Sequence, residues 1–166
     1  MSRSDKKAAA AAAEGAGFGH SEDFVSFTIA GQLFGIPVLK VQDVLASYKI
    51  TRIPLAPAEI MGQLNLRGRV VTAIDIRHRI GLSPRENDDK GMSIVVENDH
   101  ELYSLVVDSV GEVLSLSSTA FESSPPTLDP SFRNYATGVY RLEHGLLVVL
   151  DVASLLRFGG IAVAAA

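Results

Sequence analysis

Short apolar runs alternate with turn residues along most of the chain. Residues 24–29, 32–37, 63–66, 70–74, 93–96, 102–107, 138–142 and 146–150 are rich in Val, Ile, Leu and Phe. They are too short for buried helices and read as strands. Ala30-Gly31, Arg67-Gly68 and His144-Gly145 sit between paired runs, as hairpin turns would. Helical period appears only in short pieces. Val41, Val44 and Leu45 follow i, i+3, i+4, as do Ile76, Arg79 and Ile80, and a last turn or two fits residues 152–158. Residues 83–90 and 123–130 are polar and Pro-containing, which predicts loops. Many short strands with little helix predict a mainly β chain, arranged as barrels or a sandwich.

The pattern repeats. Residues 24–45 overlay residues 93–114 at an offset of 69, so that Gln32-Leu-Phe-Gly-Ile-Pro-Val falls on Glu101-Leu-Tyr-Ser-Leu-Val-Val and Val41-Gln-Asp-Val-Leu45 on Val110-Gly-Glu-Val-Leu114. Residues 61–80 overlay residues 137–156 at an offset of 76, matching Gly62 to Gly138 and Leu66 to Leu142. The chain reads as two similar β-units of about five strands each. A unit of some 65 residues buries too little surface to stand alone, so the two are expected to share a core and form a groove between them.

Outside residues 24–158 the pattern fades. Residues 1–22 read as a tail: Arg3, Lys6 and Lys7 precede Ala8–Ala13, a run too short and too weakly apolar for a signal peptide. Residues 159–166 read as a second tail after a Gly-Gly helix stop. Deleting residues 1–21 is expected to leave folding and partner binding intact, and a melting temperature lower by several degrees would show that the tail packs on the core.

Composition narrows the chemistry. Of 166 residues 47% are hydrophobic, enough for a real core, and 15 basic residues against 19 acidic ones leave a net charge of −4. That balance argues against a nucleic-acid partner, which needs a basic stripe. The absence of Cys removes disulfides, thiolate metal sites and cysteine nucleophiles. No apolar run reaches the ~18 residues of a membrane span. The histidines His20, His78, His100 and His144 lack the spacing of a local metal pair, and Asp88-Asp89 reads as a loop acid pair. Phosphate-loop, nucleophile-elbow and dinucleotide motifs are missing. Asp75 and Asp151 each end a strand and open a helix at equivalent places, so helix capping explains both. No cofactor is expected.

The halves differ most at one hairpin, where Arg67-Gly68-Arg69 in the first unit faces Glu143-His144-Gly145 in the second. The fold therefore does not demand Arg67. An arginine on a rigid turn presents a charged planar fork to a carboxylate or carbonyl; the same spacing also fits a solubilising charge.

Phe24-Val-Ser-Phe-Thr-Ile, Phe34-Gly-Ile-Pro-Val-Leu-Lys-Val-Gln-Asp43, Thr51-Arg-Ile-Pro54, Pro57-Ala-Glu-Ile-Met-Gly62, Asn65-Leu-Arg-Gly68 and Val107-Asp-Ser-Val-Gly-Glu-Val-Leu114 occur in this order. Together they resemble the CheW family of bacterial chemotaxis coupling proteins, over residues 24–158. The resemblance implies two similar five-stranded SH3-like barrels packed together with a few short helices. It implies a non-enzymatic adaptor in the cytoplasm, joining the cytoplasmic tips of methyl-accepting receptors to the regulatory domain of the histidine kinase CheA. It also places a receptor-binding groove at Val41, Asp43, Gly62, Arg67, Met92, Val110 and Val113. Met92 stands where the family usually has a β-branched residue, Ser104 where it has a small Gly, and Glu122 where a basic residue is expected. Two other readings stay open: an SH3-like adaptor of a related non-chemotaxis receptor–kinase array, and a small β-barrel enzyme using Asp75 or His78.

Overall fold

A computed structural model describes residues 21–84, 91–123, 128–143 and 145–157. Asp88, Asp89, His20, His144 and the C-terminal residues 159–166 lie outside the described residues. The strands are β1 (Ser21–Ile29), β2 (Gln32–Pro37), β3 (Val41–Leu45), β4 (Ile60–Leu66), β5 (Arg69–Asp75), β6 (Met92–Asn98), β7 (Glu101–Val107), β8 (Ser109–Ser117), β9 (Phe121–Glu122), β10 (Ala136–Leu142) and β11 (Gly145–Leu150). The helices are single turns: α1 (Ile76–Arg79), α2 (Pro130–Arg133) and α3 (Val152–Leu155). All eight strands expected from the apolar runs are present, with β4 extended back to Ile60. Two boundaries need correction. Ser21 and Glu22 belong to β1, opposite Ser117 and Leu116, so the cut expected to be silent lies before Ser21 rather than after it. Residues 41–45, which carry a helical spacing, form strand β3.

Two sheets result, ordered β8-β1-β2-β11-β10-β9 and β3-β6-β7-β5-β4. The two sequence repeats do not each build one sheet. Third strands are exchanged: β3 of the first repeat pairs with β6, and β8 of the second pairs with β1. The exchange is itself repeated, since Val41 opposes Val96 and Val44 opposes Ile94, while Val110 opposes Phe27 and Val113 opposes Val25. The final strand of each repeat also crosses over, β5 lying parallel to β7 and β11 parallel to β2.

Both sheets curl back on themselves. After β3 the chain runs to Thr51, which exchanges backbone hydrogen bonds of 2.7 and 2.8 Å with Gln63 on the far edge strand β4. After β8 a 3-10 turn leads to β9, which pairs with β10. At both closures a glycine lets the incoming backbone approach. A Cβ on Gly62 would lie 2.2 Å from the Thr51 carbonyl oxygen, and one on Gly138 would lie 2.4 Å from that of Glu122.

Strand alternation explains why the apolar runs are nearly continuous. Along β11, Leu147 and Val149 point into the interior of the first sheet, with Phe24, Leu114, Leu116 and Tyr140. Val148 and Leu150 point the other way, into a core shared by the two sheets. Along β6 and β7, Val95, Leu102 and Val106 fill the second sheet, while Ile94, Val96, Tyr103, Leu105 and Val107 join the shared core. A strand covered on both faces has no need of polar residues at every second place. Fully burying a side chain of this kind stabilises the fold by about 1.5–3 kcal/mol.

The single-turn helices close the strand ends. Asp75, Asp129 and Asp151 each accept the backbone N–H of the second helical residue, at 3.1, 2.9 and 3.2 Å. The capping expected of Asp75 and Asp151 is thus what the structure shows. Helix α2 begins at Pro130, the last residue of the expected 123–130 loop, and continues beyond it. Asp129 followed by Pro130 is a helix-start signal, and Phe132 behind it reaches the shared core. Arg79 of α1 donates to the Leu155 carbonyl at 2.8 Å and lies over the Tyr135 ring at 5.1 Å, tying the ends of the two repeats together.

One core group gives the fold a pH signature. Tyr103 is buried and donates to Glu101 at 3.1 Å. Burial first, then that bond and the charges of Glu101 and Asp99, push its phenol up to about 12. The protonated phenol is favoured in the fold, so this stabilisation is complete below the ordinary phenol pKa of about 10 and is lost as pH rises from there to about 12. Tyr103→Phe should flatten the loss of stability over that window, which chemical denaturation at stepped alkaline pH would read. An unchanged slope would place the pH dependence on other groups.

Candidate functional site: a cationic turn and two half-exposed edge strands

The β4–β5 hairpin has a two-residue turn, with Leu66 opposite Arg69. Arg67 and Gly68 between them have φ of +51° and +83°, and the Asn65 side chain accepts the Gly68 N–H at 2.9 Å. Positive φ at both places is the geometry that matches strand twist, and it favours Asn-Gly or Gly-Gly. Arginine there is held about 1–2 kcal/mol above an ordinary backbone conformation. Ala30 and Asp99 open two other two-residue hairpin turns with φ of +51° and +50°, so the turn sets this backbone and the arginine side chain is what distinguishes the site.

The Arg67 side chain is 79% exposed. Its Nη2 lies 3.1 Å from Oδ2 of Asp43 on β3, the opposite edge strand of the same sheet. Asp43 Oδ1 accepts the Val44 N–H at 2.8 Å, whereas Oδ2 is enclosed and has no aligned hydrogen bond. Asp43 therefore anchors one edge of an exposed guanidinium and leaves its other donors facing outward.

The remaining expected groove residues separate into groups. Met92 and Val110 are joined, the Val110 N–H pointing at the Met92 sulfur at 3.3 Å, and both lie partly buried against the shared core. Val41 packs against that core from β3. Val113 on β8 is 38% exposed. Gly62 is buried beneath Ile50 and Thr51 and lines no surface, so any part it takes is indirect, through seating that segment. Val44, outside the expected set, is 37% exposed and is the repeat equivalent of Val113. Its signal was available as an apolar residue matched between the repeats.

Elsewhere among the described residues, several charged side chains hold the fold together. Asp108, at the crossover from β7 to β8, receives Arg77 at 2.8 and 2.5 Å and the Ala30 N–H at 2.8 Å, and its own N–H bonds the Thr28 carbonyl. Glu122, the acid at an expected basic position, pairs with Arg141 at 2.7 Å across the β9–β10 closure, and that bond holds its carboxyl below the usual range. Asp75 is occupied as a helix cap, and His78 lies 3.7 Å from Glu59. Among the described residues no group of three or more His, Asp or Glu side chains could hold a metal ion, and no helix is long and apolar enough to cross a membrane.

The model of the CheW-like domain matches residues 23–158, the two sheets and the turn just described. The chain belongs to the CheW-like family. It is 32% identical to the chemotaxis protein CheW of Klebsiella aerogenes over 135 residues, covering 81% of each chain. It is 27% identical to the CheW of Bacillus subtilis, covering 81% of this chain and 86% of that one. Protein PilI of Pseudomonas aeruginosa is 27% identical over 126 residues, 75% of this chain and 70% of that one. The crystal structure of the scaffolding protein TtCheW from Thermoanaerobacter tengcongensis superposes with a TM-score of 0.76 at 28% identity, over 86% of this chain and 97% of that one. The CheW-like fold of two curled β-sheets with few helices is thus shared with a scaffold.

Proposed function

We propose that this chain is a non-enzymatic adaptor of bacterial chemotaxis, coupling methyl-accepting receptors to the regulatory domain of the histidine kinase CheA. It works in the cytoplasm and is recruited to receptor arrays at the inner membrane. The observation that carries this reading is Arg67: a cation in a left-handed turn position that the fold does not require, 79% exposed and steadied by Asp43. A receptor tip helix lays an apolar stripe against the edge-strand valines, and Arg67 meets an acid or carbonyl at the helix surface. Val41, Val110, Val113 and Met92 supply the apolar part of this surface, with Asp43 positioning the cation. The kinase docks on a separate face, so the adaptor passes no chemical group. It fixes geometry, and receptor rearrangement shifts kinase activity through contacts that differ between two states.

The test is assembly from purified parts. A receptor tip fragment and a CheA regulatory domain, each labelled, are titrated with the full chain. The expected result is a ternary complex in which neither partner displaces the other. Mutually exclusive binding would refute coupling by simultaneous contact. Retrieval of a receptor and kinase that serve no chemotaxis pathway would move the same groove to a related array.

A further inference from the structure

The repeats and the sheets divide the chain along different lines. The first half, through α1, contributes β1 and β2 to one sheet and β3, β4 and β5 to the other. The second half contributes β8, β9, β10 and β11 to the first sheet and β6 and β7 to the second. Four ladders therefore run between halves: β1–β8, β2–β11, β3–β6 and β5–β7. The shared core is mixed in the same way, Phe27, Phe34 and Ile74 packing with Ile94, Leu105 and Val148. The pairs Arg77–Asp108 and Arg79–Leu155 also cross from one half to the other.

Taken alone, each half presents unpaired strand edges beside uncovered apolar side chains. Those of the first half fit those of the second in register, and neither half can satisfy its own. The covalent link between α1 and β6 joins the two halves, and its described residues belong to neither sheet. Its physical effect is to keep one half near the other, at an effective concentration on the order of mM for a short tether.

We infer that the folding unit is one first half plus one second half, whether or not they belong to the same polypeptide. The partner each half fits is the complementary half of a second copy of this chain. A reciprocal dimer would contain the same ladders and the same cores as two monomers, with nothing new to form. Below the effective concentration set by the tether each chain closes on itself, and above it refolding chains exchange halves in pairs.

The test begins with the full chain carrying a protease recognition sequence inserted between Asp88 and Asp89, cut after folding. The cut protein should elute at the size of the uncut one. Its Tm, independent of concentration before cutting, should afterwards rise by a few degrees per tenfold increase in protein, because folding has become bimolecular. Separation of the fragments in native buffer, or a Tm still independent of concentration, would overturn the inference. The unmodified chain gives a second measurement. Two differently tagged copies, unfolded together and refolded at about 1 mM, should yield a mixed dimer melting like the monomer, whereas refolding at about 1 μM should yield monomers. Absence of mixed dimer at the higher concentration would refute half exchange.

Discussion

Replacing Arg67 by glutamate is expected to weaken receptor binding by at least about thirtyfold, the effect of losing about 2 kcal/mol at an interface hot spot. Charge reversal should exceed truncation, because the receptor acid and Asp43 would then both face a carboxylate. Stability should fall by about 1–2 kcal/mol, because the enclosed Asp43 oxygen loses its cation and gains a like charge. The exposed turn itself tolerates an acid, as Glu143 at the equivalent place of the second repeat shows. Arg67→Asn separates the two roles more sharply. Asn suits a positive φ better than Arg does, which offsets the lost Asp43 contact, so this variant should melt close to the parent while still losing receptor affinity. Kinase binding should persist in both, since that contact is placed on another face. Titrations against receptor fragment and kinase domain, with a melting curve, read all three quantities. Undiminished receptor affinity would make Arg67 a solvated charge, and equal loss toward both partners would mean damage to the fold.

Gly62→Ala should have the opposite profile, destabilising the protein by about 2–4 kcal/mol and lowering Tm by roughly 10 °C. Two effects combine. The backbone φ of +146° disfavours any side chain, and the new Cβ would sit 2.2 Å from the Thr51 carbonyl oxygen and 2.7 Å from Ile50. Backbone cannot swing aside as a side-chain tip can, so the Thr51–Gln63 bonds that close the second sheet must break or shift. Gly68→Ala is the control. Its φ of +83° carries the conformational penalty, but nothing lies within 4 Å of the added carbon, so about 1 kcal/mol is expected. Equal losses at the two sites would show that the approach of Thr51 is not what requires glycine at 62.

Much of this architecture was legible because most strands are apolar on both faces, giving short dense runs bounded by turn residues. Two edge strands broke that rule. In β3 the register shifts between Val41 and Asp43, and Val44 points outward although apolar, so strand alternation was lost and a helical spacing remained. The mismatch came from a residue the core does not need, and the same is true of Val113 on β8. Strand β9 is two residues long and leaves no periodic trace. The repeat revealed two similar units but not their interleaving, because self-similarity reports what a segment resembles and not what it pairs with. At the site, Arg67 stood out by comparison between halves. Its pairing with Asp43 could not be seen, since it depends on the curl that brings the outer strands of one sheet together.

The interleaving also orders the birth of the protein on the ribosome. The second sheet needs nothing beyond Val107, whereas the first waits for β8 to β11, ending at Leu150. Strands β1 and β2 are synthesised first and completed last. At about 5–20 residues per second they stay without their outer neighbours for several seconds, with Phe27, Phe34 and Ile36 unburied. The nascent chain is most exposed to mispairing at its oldest segment, and factors that shield emerging polypeptides would have their work concentrated on that first hairpin.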